Sequence, residues 1–327
     1  MNREQGYDVM ELDDFHQWDQ LLLLSEFPSP FSTSTWVDGI SSLFGYRYKL
    51  VAVRNSEMEV ALLAVYFKER SGVNFSFHPQ LTPYNSPQFI RPSKGSDARW
   101  QKEKSAILTC LQQYLQENFV YPYLFLDTAI QDVRPFIWSG WNARPAYTYL
   151  VDPGQTKLDP DVQRRYRNCI REGFTVSYNW SPEVFVRLFR LTMDRQHIRL
   201  AYSDQRMLDF LNRLKEKNLI WMATSYDKEG APHASWVQLQ VEPWVVFNWN
   251  SATNLAFANS GGNSVLVFDV LEKMKAEQVK AWDLCGADTP SVVGFKSKLG
   301  GALQVYYKVD FSNYPVSRKI LYRWKNR

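Results

Sequence analysis

Two segments of the C-terminal half hold residues whose types and spacing can do chemistry. The first is Arg164-Arg165-Tyr166-Arg167-Asn168-Cys169-Ile170-Arg171. On a helix, Arg164, Arg167 and Arg171 fall at i, i+3 and i+7 and make one basic stripe. Guanidinium groups offer forked donors that suit a phosphate or a carboxylate, so Arg167 and Arg171 are candidate substrate-binding residues. The competing reading is a solvated face, with Glu172 the carboxylate beside it. The second segment runs from Trp282 to Gly301. A strand leads into a Gly/Pro loop that presents Phe295 and Lys296 and closes on Gly300-Gly301. Loops at the carboxyl ends of strands in open α/β sheets are where ligands bind. A lysine there is either an anion holder or an ordinary surface cation. Asp283 and Asp288 are the nearby carboxylates; Asp283 lies inside the strand and also reads as structural, whereas Asp288 is loop-placed.

The order Arg-Asn-x-Ile-Arg at 167–171, Asp-Leu-x-Gly-Ala at 283–287 and Gly-Phe-Lys-x-x-x-Gly-Gly at 294–301 resembles the Fem-type branch of the GNAT acyltransferase superfamily, which includes peptidyltransferases that build peptidoglycan cross-bridges. The resemblance is strongest over roughly residues 160–301. It implies two tandem GNAT-like domains and acyl transfer to an amine or a hydroxyl. It also implies that Phe295 and Lys296 line the acceptor or transition-state site, where an ammonium stabilises developing negative charge. Proton removal from an amine acceptor then needs a carboxylate, a tyrosine or a water chain as base; Asp283 and Asp288 are the candidates by proximity to the motif, with Asp288 preferred because it is loop-placed. Similar Arg-Gln pairs in polysaccharide-cluster relatives make Arg195 an expected substrate contact; a cation at a helix C-terminus is the bland alternative.

Within the same resemblance, GNAT enzymes bind the coenzyme A pyrophosphate on backbone amides at a helix start. The matching place here is Asn259-Ser260-Gly261-Gly262-Asn263, so Asn259, Gly261, Gly262 and Asn263 are the expected cofactor-binding residues and acyl-CoA is a candidate donor. The leading Gln or Arg of that loop is missing. An aminoacyl-tRNA donor, used by some members of the branch, has no support in a net charge of +4. Trp249 and Asn250 follow a strand and either line an acceptor groove or belong to core and turn.

The elements that must position these residues are legible as patterns. Helices are expected at 9–25, 36–44, 99–118, 160–172, 181–195, 203–217 and 264–277, and strands at 48–54, 59–68, 121–126, 141–151, 175–178, 219–226, 233–241, 244–250 and 279–284. Residues 78–98 and the 285–301 region read as loops. The hairpin at 48–68 recurs at 219–241, followed each time by helix then strand, a repeat of pattern with negligible identity. This predicts a mixed α/β chain of two tandem domains, 1–152 and 153–327, divided in Asp152-Pro153-Gly154 to Pro160.

Composition bounds the function. The chain has 327 residues, 45% hydrophobic and 22% charged, which excludes disorder, collagen and a bare coiled coil. Residues 1–150 hold 13 Lys/Arg against 16 Asp/Glu, and residues 151–327 hold 25 against 18, so an anionic ligand is expected on the second half. A DNA-binding role is disfavoured by the charge. The three cysteines are in no C-x-x-C spacing and read as free thiols; the four histidines show no metal-ligand spacing, so no metal is expected. With no apolar run long enough to span a bilayer and no signal-peptide h-region, a cytoplasmic protein is expected. The resemblance, together with the basic second half, implies action on an amino sugar, a nucleotide-linked sugar or a cell-wall or polysaccharide precursor. Aromatics at 15% fit half-buried sheets, or a non-catalytic relative whose groove stacks on glycans or binds a partner.

Overall fold

The computed structural model describes residues 6–56, 58–91, 96–254 and 261–312. Two compact units emerge: Tyr147–Gln304, and Met1–Ala146 together with Val305–Arg327. The chain therefore leaves the first unit within one strand and returns to it within the last, where the sequence suggested a single division after residue 152.

In the first unit β1 (Asp8–Glu11) precedes α1 (Phe15–Leu23), α2 (Ser34–Phe44), β2 (Arg47–Arg54), β3 (Glu59–Arg70), β4 (Val73–Ser76), β5 (Gln88–Phe89), α3 (Asp97–Asn118), β6 (Tyr123–Phe125) and α4 (Arg134–Trp138). The helix expected over 9–25 is in fact a strand and a shorter helix. Residues 8–11 pair antiparallel with 51–54, and Asp14 caps α1 by accepting from the N–H groups of His16 and Gln17 at 2.8 and 3.2 Å. The expected loop at 78–98 contains the short β5, which pairs with β3. Val60–Phe67 is buried continuously because β3 is covered on both faces; α3 lays Ile107, Leu108, Leu111 and Leu115 into that core.

β7 (Asn142–Val151) carries the chain into the second unit. There α5 (Pro160–Arg171), β8 (Thr175–Ser177), α6 (Pro182–Arg195), α7 (Asp204–Glu216), β9 (Ile220–Tyr226), β10 (Pro232–Leu239), β11 (Val245–Thr253), α8 (Gly262–Ala276), β12 (Ala281–Asp283) and α9 (Pro290–Lys296) follow, and β13 (Ala302–Asp310) leads back. The strand order of this unit is β7-β12-β11-β10-β9-β8. All neighbours are antiparallel except β11 and β12. The segment expected to be a loop at 290–296 is helix α9, with Pro290 at its first turn. Val265, Leu266, Val267, Val270, Leu271 and Met274 are all buried, so α8 is apolar around much of its circumference and sits against the sheet.

Candidate functional site

The sheet of the second unit opens between β11 and β12. β11 runs parallel to β12 for only three pairs, Val245–Phe247 against Ala281–Asp283. Beyond Phe247, β11 stays with β10, while 284–287 stays with β7: the Leu284 N–H donates to Tyr149 O at 3.0 Å and the Ala287 N–H to Tyr147 O at 2.5 Å. Two parallel neighbours thus part at their carboxyl ends, which is where an α/β sheet admits ligands. A bulge at the same level adds to the divergence: Val237 pairs with Asn250 and Gln238 with Asn248, which leaves Trp249 as the extra residue.

The β12 side of the opening is a turn held from three directions. Asp283, buried, accepts from Thr148 Oγ1 at 2.6 Å and from the Cys285 N–H at 2.8 Å. Thr148 Oγ1 accepts in turn from the Gly286 N–H at 3.1 Å. The Lys296 ammonium donates to the carbonyl oxygens of Leu284, Cys285 (3.5 Å) and Gly286 (2.7 Å). These three acceptors match the three donors of an ammonium. Cys285 and Gly286 have φ of 53° and 91°, so the backbone turns through the left-handed region and needs this bonding to stay there. Burial lowers the Lys296 pKa although Cys285 and Asp283 oppose it, and burial followed by Asp283 pushes the Cys285 thiol well up.

Polar side chains line the parting strands in a connected chain. Trp282 Nε1 donates to Gln238 Oε1 and Gln238 Nε2 to Asn248 Oδ1, both at 2.9 Å, and Asn248 Nδ2 reaches Ser251 Oγ at 3.4 Å. Gln238 and Asn248 are buried, so these bonds offset their desolvation. Sequence reasoning missed Gln238, Asn248 and Thr148. The signal was Gln238 itself, an amide on the Ala234-Trp236-Gln238 stripe.

The far end of the opening converges on Thr253. Thr192 Oγ1, one turn before Arg195, donates to Leu188 O at 2.9 Å and accepts from the Thr253 N–H at 3.3 Å. Asn263, in the first turn of α8, donates from Nδ2 to Thr253 Oγ1 at 3.1 Å and accepts from Trp236 Nε1 at 2.9 Å. The glycines before it serve close approach. A Cβ on Gly261 would lie 2.5 Å from Cys169 Sγ on α5, and one on Gly262 would lie 2.8 Å from His233 Cβ. The basic helix α5 therefore runs beside the start of α8, an association completed by Tyr166 stacked on Phe268 at 4.0 Å.

The expected site residues are distributed as follows. Lys296, Asp288, Gly261, Gly262, Asn263 and Asn250 belong to the segments just described; Asn259 lies outside the described residues. Asp288 is exposed, with Oδ1 accepting from the Tyr147 N–H at 3.0 Å. Arg167, Arg171 and Arg195 are exposed. In the α5 stripe Arg164 pairs with Asp161 at 2.9 Å, and no described carboxylate pairs with Arg167 or Arg171. Trp249 is buried near Phe185 and Phe210, with centroids 6.4 and 6.2 Å away, and so belongs to the packing under α6 and α7. Phe295 is half-buried, edge-on to Trp236 at 6.2 Å. No group of three or more His, Cys, Asp or Glu that could hold a metal occurs among the described residues, and no described helix is long and apolar enough to cross a membrane.

No protein-family model matches the sequence, and no curated protein matches it either. Solved structures do. FemX superposes with a TM-score of 0.68 at 10% identity, covering 92% of this chain and 96% of that one. The chain has the fold of FemX. L-PGS from Bacillus licheniformis gives 0.60 at 13% identity over 96% of this chain and 97% of that one. A tandem GNAT protein from the clavulanic acid biosynthesis pathway gives 0.51 at 11% over 93% and 98%. At such identities the likeness establishes the Fem-like, GNAT-type fold and no more. It meets the expectation of a mixed α/β chain with tandem-GNAT architecture.

Proposed function

We propose that the chain is an acyl or aminoacyl transferase built from two GNAT-like domains, its reaction centred on the opening between β11 and β12. The parting of these two parallel strands carries the reading. An extended, amide-bearing donor arm fits beside β11 over residues 248–253, as a peptide adds to a sheet edge. The first turn of α8, from Gly261 and Gly262 to Asn263 and with Asn259 ahead of it, offers backbone N–H groups and the positive end of a helix dipole to a donor phosphate. Arg167 and Arg171 on the adjoining α5 add positive charge on the same side, and Arg195 does so from α6. Acyl-CoA fits this description; an aminoacyl-tRNA is the alternative class of donor that the resemblance in the sequence implies.

In this reading the acceptor amine attacks the donor carbonyl, forming a C–N bond and a tetrahedral oxyanion. Collapse breaks the C–S or C–O bond, and the departing thiolate or alkoxide is protonated by the proton that the amine gave up to the base. Asp288, exposed on the turn, takes the proton released by the amine. Lys296 is a positioning residue: its donors are occupied by carbonyls, and it keeps the turn that borders the opening in its left-handed form. Phe295 and Asn250 flank the acceptor side, and Trp249 supports β11 from below. The acceptor is an amino sugar, a nucleotide-linked sugar or a cell-wall precursor.

Calorimetry with acetyl-CoA and longer acyl-CoAs, followed by mass spectrometry of amino-sugar acceptors, tests the reading. Saturable donor binding and an acyl adduct are expected, and both weaken in Arg167→Glu/Arg171→Glu. No donor binding and no adduct with any acceptor would overturn it. A non-catalytic glycan- or partner-binding relative is the second reading, favoured by the complete occupation of Lys296 and Asp283 within the fold. Glycan-array binding without donor binding would select it.

A further inference from the structure

The first unit contains a cavity of about 320 Å³, at the small end of the range for small-molecule sites and roughly ten waters in size. One wall is a stripe of α3: Gln101, Lys104, Ser105 and Leu108, at i, i+3, i+4 and i+7. The opposite wall is the loop 129–132 after β6, with Phe89 at the base. We infer that this cavity is a binding site for an uncharged saccharide unit, independent of the acyl-transfer reading and formed wholly by the other compact unit.

The charges in the wall are already neutralised. Lys104 Nζ pairs with Glu26 Oε2 at 2.5 Å, with both side chains less than a fifth exposed, and it lies over the rings of Phe89 and Trp100 at 5.2 and 5.4 Å. Trp100 Nε1 holds the other Glu26 oxygen at 2.7 Å. Asp132 is gripped by Arg134 through Nε and Nη2 at 2.8 and 2.7 Å. A charged ligand would lose hydration here without meeting a free counter-charge. What remains is polar and neutral, from Gln101, Ser105 and Gln131. Gln131 Nε2 is committed to Thr128 O at 2.7 Å and Val305 O at 3.2 Å, which leaves Oε1 to accept. Ser105 Oγ donates to Gln101 O at 3.3 Å and keeps its lone pairs. Phe89, Leu108 and Ile130 supply the apolar part of the lining. Neutral polar groups beside apolar ones match a ring that carries hydroxyls on its edge and C–H groups on its face. On the other side of Lys104 a recess of about 10 Å³ is too small for more than one water, so the ligand is confined to the larger cavity.

The test is saturation-transfer NMR and calorimetry on the full chain with N-acetylglucosamine, glucose, glucosamine and glucuronate at constant ionic strength. Neutral sugars are expected to bind saturably, with Kd on the order of 1 mM for a single ring. Ser105→Trp fills the cavity from the half-buried side of α3 and should weaken them at least tenfold while leaving acetyl-CoA binding unchanged. Gln131→Ala, on the loop, should weaken them severalfold and covers the case in which Ser105→Trp does not fold. No saturable binding of neutral sugars, equal binding by a folded Ser105→Trp, or tighter binding of glucosamine or glucuronate would overturn the inference.

Discussion

The ammonium of Lys296 sits 2.7 Å from the carbonyl oxygen of Gly286, ten residues earlier in the chain, and bonds Leu284 and Cys285 as well. The helix α9 thereby fastens the turn that follows β12. A lysine in a Phe-Lys motif reads, in isolation, as a group presented to substrate; here it is a clamp on the backbone that borders the opening.

Replacing that clamp should be costly in a specific way. Lys296→Met leaves partly buried carbonyls without donors, each worth about 1–3 kcal/mol. Transfer activity should fall with a rise in donor KM, because the opening loses its edge. The pH dependence has a sign. The Lys296 pKa is lowered in the fold, so between that value and the unfolded value of 10.5 the unfolded chain binds more protons. Wild type therefore gains stability as pH rises through this window, and Lys296→Met lacks that increment. Denaturant midpoints of the two proteins between neutral pH and pH 10.5 check it.

Thr148→Val should destabilise the second unit by about 1–3 kcal/mol. The hydroxyl both donates to buried Asp283 and accepts from the Gly286 N–H, so its loss leaves a carboxylate and an amide underbonded. Thr148→Ser retains the oxygen and should recover most of the loss in thermal melts.

At the start of α8, Gly262→Ala places a Cβ 2.8 Å from His233 Cβ and 3.0 Å from Ser225 Oγ. Overpacking of this kind costs about 1–3 kcal/mol. Gly261→Ala meets Cys169 Sγ at 2.5 Å and also has to adopt φ of 88°. Adding Cys169→Ala should relieve the clash but not the backbone strain, so the double variant recovers only part of the stability. Full recovery would show that packing alone fixes this glycine.

His78 should make the first unit acid-sensitive. It is half-buried, stacked on Phe125 at 3.6 Å and bonded through Nδ1 to Asn85 Oδ1 at 2.8 Å, and desolvation lowers its pKa to about 4. Between about 4 and the unfolded 6.5 the unfolded chain binds more protons, so stability falls as pH drops through that window. The shift corresponds to on the order of 3 kcal/mol. Urea midpoints from pH 7 to pH 4 should show the loss in wild type and a flatter profile in His78→Phe.

Raising salt should discriminate the role of α5. Arg167 and Arg171 are exposed, so any donor phosphate they attract is screened over about 10 Å at 0.1 M salt. Donor Kd is expected to rise with salt in wild type and to respond less in Arg167→Glu/Arg171→Glu. Equal salt slopes would remove α5 from the site.

By itself the sequence determined the elements. Period-two and period-3.6 apolar patterns place β2, β3, α3 and most of the second unit within a few residues, because burial of one face is written into every third, fourth or second residue. The motif order also led to the fold that FemX shares. The sequence misread several stretches, of which the expected loop at 78–98 with its short β5 is one. Asp8–Glu11 is a strand since its partner, residues 51–54, lies far away in the chain, and Pro290–Lys296 is a helix whose last residue is drawn onto the 284–286 carbonyls. Tertiary structure alone decided the rest. That Trp249 is a bulge residue, that Gln238 and Asn248 form a buried polar chain, and that Lys296 bonds backbone depend on which segments meet across the sheet. Such meetings are long-range, set by packing and by the need of each buried polar group for a partner, and no local spacing encodes them.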